Sequence, residues 1–210
     1  MSEALPILYS FRRCPYAMRA RMALSVASVA YEHREILLRD KPMEMTDVSA
    51  KATVPVLVVG DAVLDESLDI MLWALAANDP DKWLSPQTGN LASMLELIKD
   101  SDDGFKTNLD IYKYASRHKA GEGDKARDAA TVFLNLLDKR LHESAYLFGA
   151  DISLVDVAIF PFVRQFAGVD RAWFDAQAHA HLYKWLKTLE GSGLFKNIMA
   201  KHSLWVAPEN

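Results

Sequence analysis

The one cysteine of the chain, Cys14, stands directly before Pro15, with Arg12, Arg13 and Arg19 close by in sequence. From Pro15 onward apolar residues recur at helical spacing: Ala20, Ala23, Leu24 and Ala27 share one face. Proline suits a first helical position, where its missing N–H would have found no partner. The sulfur is therefore expected at a helix start, where the partial positive charge of unpaired amides favours thiolate over thiol. A free cysteine titrates near ~8.5 and such sites commonly fall below neutrality, which would make Cys14 a nucleophile at cellular pH. The competing reading is an inert core cysteine, a common fate of a lone thiol. With one cysteine the chain can form neither an internal disulfide nor a cysteine-rich metal site, so a second sulfur must come from another molecule.

Two further segments could hold a ligand. In Thr53-Val54-Pro55-Val56 a proline opens an apolar run. A cis Val54–Pro55 bond would turn the Val54 N–H and C=O outward, open to an extended peptide. In Glu66-Ser67 the serine reads as an N-cap whose neighbouring amides favour an anion, with Glu66 able to accept an ammonium group. A plain capping serine beside a solvated glutamate explains the same residues. Tyr9 and Ser10, at the end of the preceding run, are candidate hydrogen-bond donors to a thiol. His179 and His181 are two apart and face different ways on a helix, so no metal site is expected. Asp100 to Asp103 reads as a solvated helix end or bend.

The elements that would position these groups change character along the chain. Leu5–Ser10 reads as a strand, the segment from Pro15 as a helix and Tyr31–Leu38 as a second strand. Val56–Val59 and Ala62–Leu64 flank Gly60-Asp61 as a tight hairpin, and a helix with Ile70, Met71, Trp73, Ala74 and Leu75 follows from Ser67. Residues 1–78 thus read as a compact α/β domain in the order β-α-β then β-β-α. Residues 79–90, with Pro80, Pro86 and Gly89 among polar residues, read as a linker. Residues 91–210 read as all helix: Ala126, Ala129, Ala130, Phe133, Leu137 and Leu141 form one stripe, and Leu182, Trp185, Leu186 and Leu189 another. Ser153 and Asp156 have capping-box spacing, Ile152 and Val157 staple spacing, and Pro161 should kink the helix they open.

Composition narrows the partners. The net charge of −4, with basic residues scattered among acids, argues against nucleic acid. No apolar run reaches the ~18 residues of a membrane span and the first residues do not resemble a signal peptide, so a cytoplasmic setting without membrane contact is expected.

Cys14-Pro15-Tyr16-Ala17-x-Arg19 after a short strand, Val54-Pro55-Val56-Leu57, Asp65-Glu66-Ser67 before a helix, and Ser153 through Phe160 resemble, in that order, the cytosolic glutathione S-transferases. The cysteine-dependent, omega-like and glutaredoxin-like members are the nearest. The resemblance implies a thioredoxin-like N-terminal domain and an all-α C-terminal helical bundle. It implies glutathione as co-substrate, no metal, and a homodimer acting on a small hydrophobic or disulfide-containing substrate. Cys14 takes the place of the catalytic cysteine that forms a mixed disulfide with glutathione. Val54, ahead of a cis Pro55, takes that of the residue pairing with the cysteinyl backbone. Glu66 and Ser67 would hold the γ-glutamyl ammonium and carboxylate, and Lys41 the glycyl carboxylate. Tyr16, Tyr112 and Trp173 are candidates for a second-substrate cleft between the domains. Where many relatives carry Asn-Pro and then Gly before the Val-Pro pair, this chain has Ser49-Ala50-Lys51-Ala52. Without a second cysteine only a monothiol cycle is open. Conjugation of glutathione to electrophiles, with Cys14, Tyr9 or Ser10 merely stabilising its thiolate, is the alternative, and a non-catalytic interaction module of the same fold is a second.

Overall fold

The computed structural model describes residues 4–208. They divide into two compact units, one running up to Pro80 and resuming at Gly193, the other Asp81–Ser192.

The first unit is a four-stranded sheet with helices. Strand β1 (Ile7–Ser10) lies parallel to β2 (Glu32–Glu35) and antiparallel to β3 (Val56–Val59), which forms a hairpin with β4 (Ala62–Leu64), giving the order β2-β1-β3-β4. The parallel β1–β2 pair requires a crossover, and α1 (Pro15–Val26) supplies it. In the hairpin turn Gly60 has φ +56°, a left-handed conformation that glycine adopts without steric cost. Helix α3 (Ser67–Ala77) packs against α1, and both bury alanine and methionine faces. The short helix α2 (Met43–Val48), which the sequence pattern did not disclose, drives Met45 into a cluster with Tyr9, Ile36, Val54 and Val56. The second strand is half the expected length because the chain turns after Glu35, with Leu37 bridging Asp40.

The C-terminal residues return to this unit, so the helical part does not extend to the end of the chain as expected. Helix α10 (Gly193–Ile198) packs on α1, and Leu204 then bridges Glu35 on the free edge of β2, where the Trp205 N–H donates to the Glu35 carbonyl at 2.9 Å. This segment covers the polar edge strand Glu32-His33-Arg34-Glu35 with aromatic and hydrogen-bonding groups. Trp205 lies under the Arg34 guanidinium, 4.3 Å from its ring centroid, and His202 stacks on His33 at 3.9 Å. Desolvation, and then the neighbouring His33, hold the His202 pKa below its ordinary value near 6.5. A depressed histidine pKa means that the unfolded chain binds the proton more readily. Stability contributed by the neutral ring is full above ~6.5 and is lost as pH falls toward the folded-state value. Acidification from pH 7 to below 6 is therefore expected to raise the rate of limited proteolysis in residues 199–208. His202→Phe, which can stack but not titrate, should blunt that rise. The effect will be modest because the ring is exposed to solvent.

In the second unit, Asn90 caps α4 (Leu91–Asp100) by accepting the Ser93 N–H at 3.0 Å. The segment expected to end the helix instead carries it onward. Ser101–Phe105 form a π-helical turn that runs straight into α5 (Lys106–Lys113), and Ser101 and Phe105 are buried. Helices α6 (Glu122–Glu143) and α9 (Ala180–Gly191) pack along the two expected stripes, although Ala129 lies outside the buried face. Between them in sequence come α7 (Leu154–Ala167), which runs unbroken through Pro161, and the short α8 (Arg171–Asp175). The segment read as a linker is structured. Trp83 is fully buried, and its carbonyl accepts the Leu154 N–H at 3.0 Å. Among the described residues no helix is long and apolar enough to cross a membrane.

Candidate active site around Cys14

Cys14 is the N-cap residue of α1, with extended dihedrals (φ −75°, ψ 121°) and Pro15 as first helical residue, as the sequence pattern demands. Cys14 is half-buried and packs at the margin of the Tyr9–Met45–Val54 cluster, with Sγ 3.6 Å from the Val54 carbonyl oxygen. The Val54–Pro55 peptide is cis, and Val54 is 6% exposed. Thiol and peptide thus meet where the two inner strands, β1 and β3, end and begin, although they are far apart in sequence.

The two hydroxyls considered as donors to the thiol each accept a hydrogen bond from an arginine. The Tyr9 hydroxyl accepts from Arg34 Nη1 at 2.7 Å, and its ring meets Trp205 edge-on. Ser10, fully buried, accepts from Arg21 Nη1.

Glu66, rather than Ser67, is the N-cap residue of α3; Ser67 is the first residue inside the helix and is 3% exposed. Its Oγ accepts from Arg19 Nε at 2.9 Å. Arg19 therefore serves the start of α3, and its guanidinium also lies over the Tyr16 ring at 5.1 Å. Glu66 is exposed and forms an ion pair with Lys51, which also reaches Asp65 at 3.3 Å. Ser49 donates to Asp65 at 2.9 Å. That bond, followed by Lys51, holds the Asp65 carboxyl below its usual range. The segment Ser49-Ala50-Lys51-Ala52 thus supplies two groups to the site that the sequence pattern had marked only as a departure. Its last residue, Ala52, has φ +48°, a left-handed conformation costing a non-glycine residue about 1 kcal/mol. Lys41 is exposed in the turn before α2.

In the second unit Tyr112 and Trp173 both pack on Phe166, at 5.2 and 6.0 Å between ring centroids, and Arg127 covers Trp173. Tyr112 also lines a cavity of about 270 Å³ together with Lys119, Gly121 and Asp124. His179 bonds Asn135, and His181 meets His142. Among the described residues no group of three or more His, Cys, Asp or Glu is placed to hold a metal.

Sequence reasoning missed the scaffold behind the thiol. The Glu35 carboxylate accepts the Arg12 N–H at 2.7 Å and faces His33 Nε2 at 3.0 Å. Burial pushes its pKa up, but these two bonds outweigh burial and hold it below the ordinary value. The signal was present only as a charged residue in a strand, which pattern alone assigns to solvent.

Comparison with known proteins places this geometry. Residues 8–83 match the family model for the N-terminal domain of glutathione S-transferases, and residues 122–188 match the model for their C-terminal domain. The chain is 29% identical over 171 residues to a probable maleylacetoacetate isomerase of Caenorhabditis elegans, covering 78% of this chain and 79% of that protein. It is 27% identical over 208 residues to the probable glutathione S-transferase parA of Nicotiana tabacum, covering 95% and 91%. A glutathione transferase family member from Pseudomonas fluorescens, solved with two glutathiones bound, has the same fold, with a TM-score of 0.80 at 16% identity over 93% of this chain and 92% of that one.

Proposed function

The chain belongs to the glutathione S-transferase superfamily, a family of glutathione-dependent enzymes, and from that premise we propose that it transfers thiols through Cys14. The observation that carries this reading is the half-buried Cys14 at the N-cap of α1, its sulfur beside the Val54 carbonyl that precedes the cis Pro55. A substrate bearing a glutathionyl group is attacked at the glutathionyl sulfur by the Cys14 thiolate. The S–S bond of the substrate breaks, the substrate leaves as a thiolate that takes up a proton, and Cys14 carries the glutathionyl group. The thiolate of a second glutathione then attacks that sulfur, releasing oxidised glutathione and restoring the Cys14 thiolate. No other oxidant or reductant is required.

The tripeptide backbone would pair with Val54 in antiparallel fashion, and its γ-glutamyl carboxylate would meet the amides at the start of α3 and Ser67, which Arg19 holds in place. Its ammonium group would compete with Lys51 for Glu66, a cost absent from a site whose glutamate stands alone. Lys41 would reach the glycyl carboxylate, and Tyr16, Tyr112 and Trp173 would contribute to the second-substrate site. The proposal extends, by family resemblance, to a homodimer and to a second substrate that is small and either apolar or disulfide-bearing, in a cytoplasmic setting.

The names of the relatives favour a second reading, glutathione-dependent isomerisation of an activated cis double bond. There the glutathione thiolate adds to the alkene, the new single bond rotates and the thiolate leaves, with no covalent bond to Cys14. A single-turnover experiment separates the two. Mixed with a glutathionylated small thiol and no free glutathione, the chain should release one equivalent of that thiol and gain one glutathionyl group at Cys14 by mass spectrometry. Thiol release that requires free glutathione and leaves the chain's mass unchanged would refute covalent transfer.

A further inference from the structure

Arg21 lies on α1 with 1% of its surface exposed, and the mechanism above does not use it. Its guanidinium spends its hydrogen bonds on neutral acceptors. Nη1 donates to Ser10 Oγ and to the Phe11 carbonyl at 3.4 Å, Nη2 to the Arg12 carbonyl at 2.8 Å, and Nε to the Ile198 carbonyl at 3.3 Å. Three of these four acceptors are the consecutive residues leading into Cys14, whose own N–H donates back to the Phe11 carbonyl at 3.0 Å. The fourth ties that approach to the returning C-terminal segment.

A buried cation bonded only to neutral groups is costly unless anions stand near it. The titratable and charged groups that act on it electrostatically are Glu35 on β2, Tyr31 just before that strand, Arg12 and Cys14 on the loop it clamps, and His202 on the returning C-terminal segment, which adds like charge only when protonated. Arg12 adds like charge. Burial pushes the Tyr31 pKa up, so Tyr31 is neutral near pH 7 and offsets nothing. Glu35 supplies one negative charge, shared with His33. Cys14 is the remaining group that can supply another.

We propose that Arg21 is a positioning residue for Cys14: it fixes the Ser10–Arg12 approach and provides the buried positive charge against which the sulfur ionises. This role rests on Cys14 being the working thiol, but it is read from ionisation rather than turnover, so the two ideas fail separately. Retained turnover in a chain lacking the thiol would remove the catalytic reading and leave the effect of Arg21 on titration standing.

The test follows thiolate absorbance and iodoacetamide alkylation against pH, with Cys14→Ser as the blank. The native thiol should titrate below ~8.5. Arg21→Met or Arg21→Gln, whichever folds by circular dichroism, should raise the midpoint by about one pH unit, a tenfold loss of thiolate at a fixed pH below it. Arg21→Lys should restore most of that shift, because it keeps the charge while losing the fork. A folded neutral variant that titrates as the native chain does would overturn the proposal. So would a native thiol that titrates at or above the free-cysteine value, an outcome readable even if no variant folds.

Discussion

Replacing Cys14 with serine is expected to lower turnover on a glutathione mixed disulfide by roughly 1,000-fold or more, a barrier increase of about 4 kcal/mol. A serine hydroxyl is not ionised near neutral pH and forms no disulfide, so both half-reactions lose their covalent partner. The side chain is small and sits at the N-cap of α1, a position serine favours, so the fold should be retained. The groups assigned to the tripeptide, the Val54 backbone and the start of α3, are untouched. The loss should therefore fall on kcat, with KM for glutathione within a few-fold of native. Steady-state assays on the mixed disulfide and on a cis-alkene diacid would check both readings in one variant. Disulfide turnover that persists in Cys14→Ser would exclude the thiol-transfer assignment. Isomerisation that persists while disulfide turnover vanishes would mean that one site supports two chemistries, with only one of them through Cys14.

The largest stability effect is expected at Asp156, in the second unit. This carboxylate is fully buried and accepts four bonds: Oδ1 from the Leu147 N–H and Trp185 Nε1, both at 2.9 Å, and Oδ2 from the Ser153 N–H at 3.1 Å and Ser153 Oγ at 2.9 Å. Burial pushes its pKa up, and the four donors pull against that. The bonds close the capping box of α7 and tie it to α9 and to the loop before Ser153. Asp156→Ala leaves all four donors buried without an acceptor, each worth about 1–3 kcal/mol before relaxation. Allowing for shared relaxation, a loss of about 3–5 kcal/mol is expected, a large share of the ~5–15 kcal/mol that keeps a typical domain folded. Trp185→Phe, which removes a single donor together with its indole nitrogen, should cost far less. Chemical denaturation read by tryptophan fluorescence and hydrogen exchange would check the ordering. An Asp156→Ala chain as stable as the native one would mean that the network contributes nothing net.

Much of the site could be read from short stretches of chain. Pro15 after Cys14 marks a helix start because proline lacks an N–H, and that preference is local. Gly60-Asp61 marks the hairpin, and the Ser153–Asp156 spacing marks the start of α7, because turn and cap geometry depend on a few adjacent residues. The stretch around Asp100 to Asp103 misled for the same reason. Four polar residues resemble a helix end, yet burial of Ser101 and Phe105 keeps the chain helical through a π-turn. The one-residue error at Ser67 is of a different kind: a serine beside a helix start reads as a cap, but Arg19 engages its hydroxyl and the chain enters the helix one residue earlier than a Ser67 cap would imply, with Glu66 as the N-cap.

By itself the sequence determined the β-α-β then β-β-α order of the first unit apart from α2, the helical character of the second, the lone nucleophile and its seat before a proline, because propensity, capping and periodicity act over a few residues. Only the tertiary structure decided which charges are buried and what answers them. Arg21 reaches Ile198, Arg19 reaches Ser67, Lys51 reaches Glu66 and Trp205 closes the edge at Glu35. Such partners lie from 15 to 177 residues apart, and whether a charge is solvated or enclosed depends on which surfaces fold together. A local pattern carries no record of that.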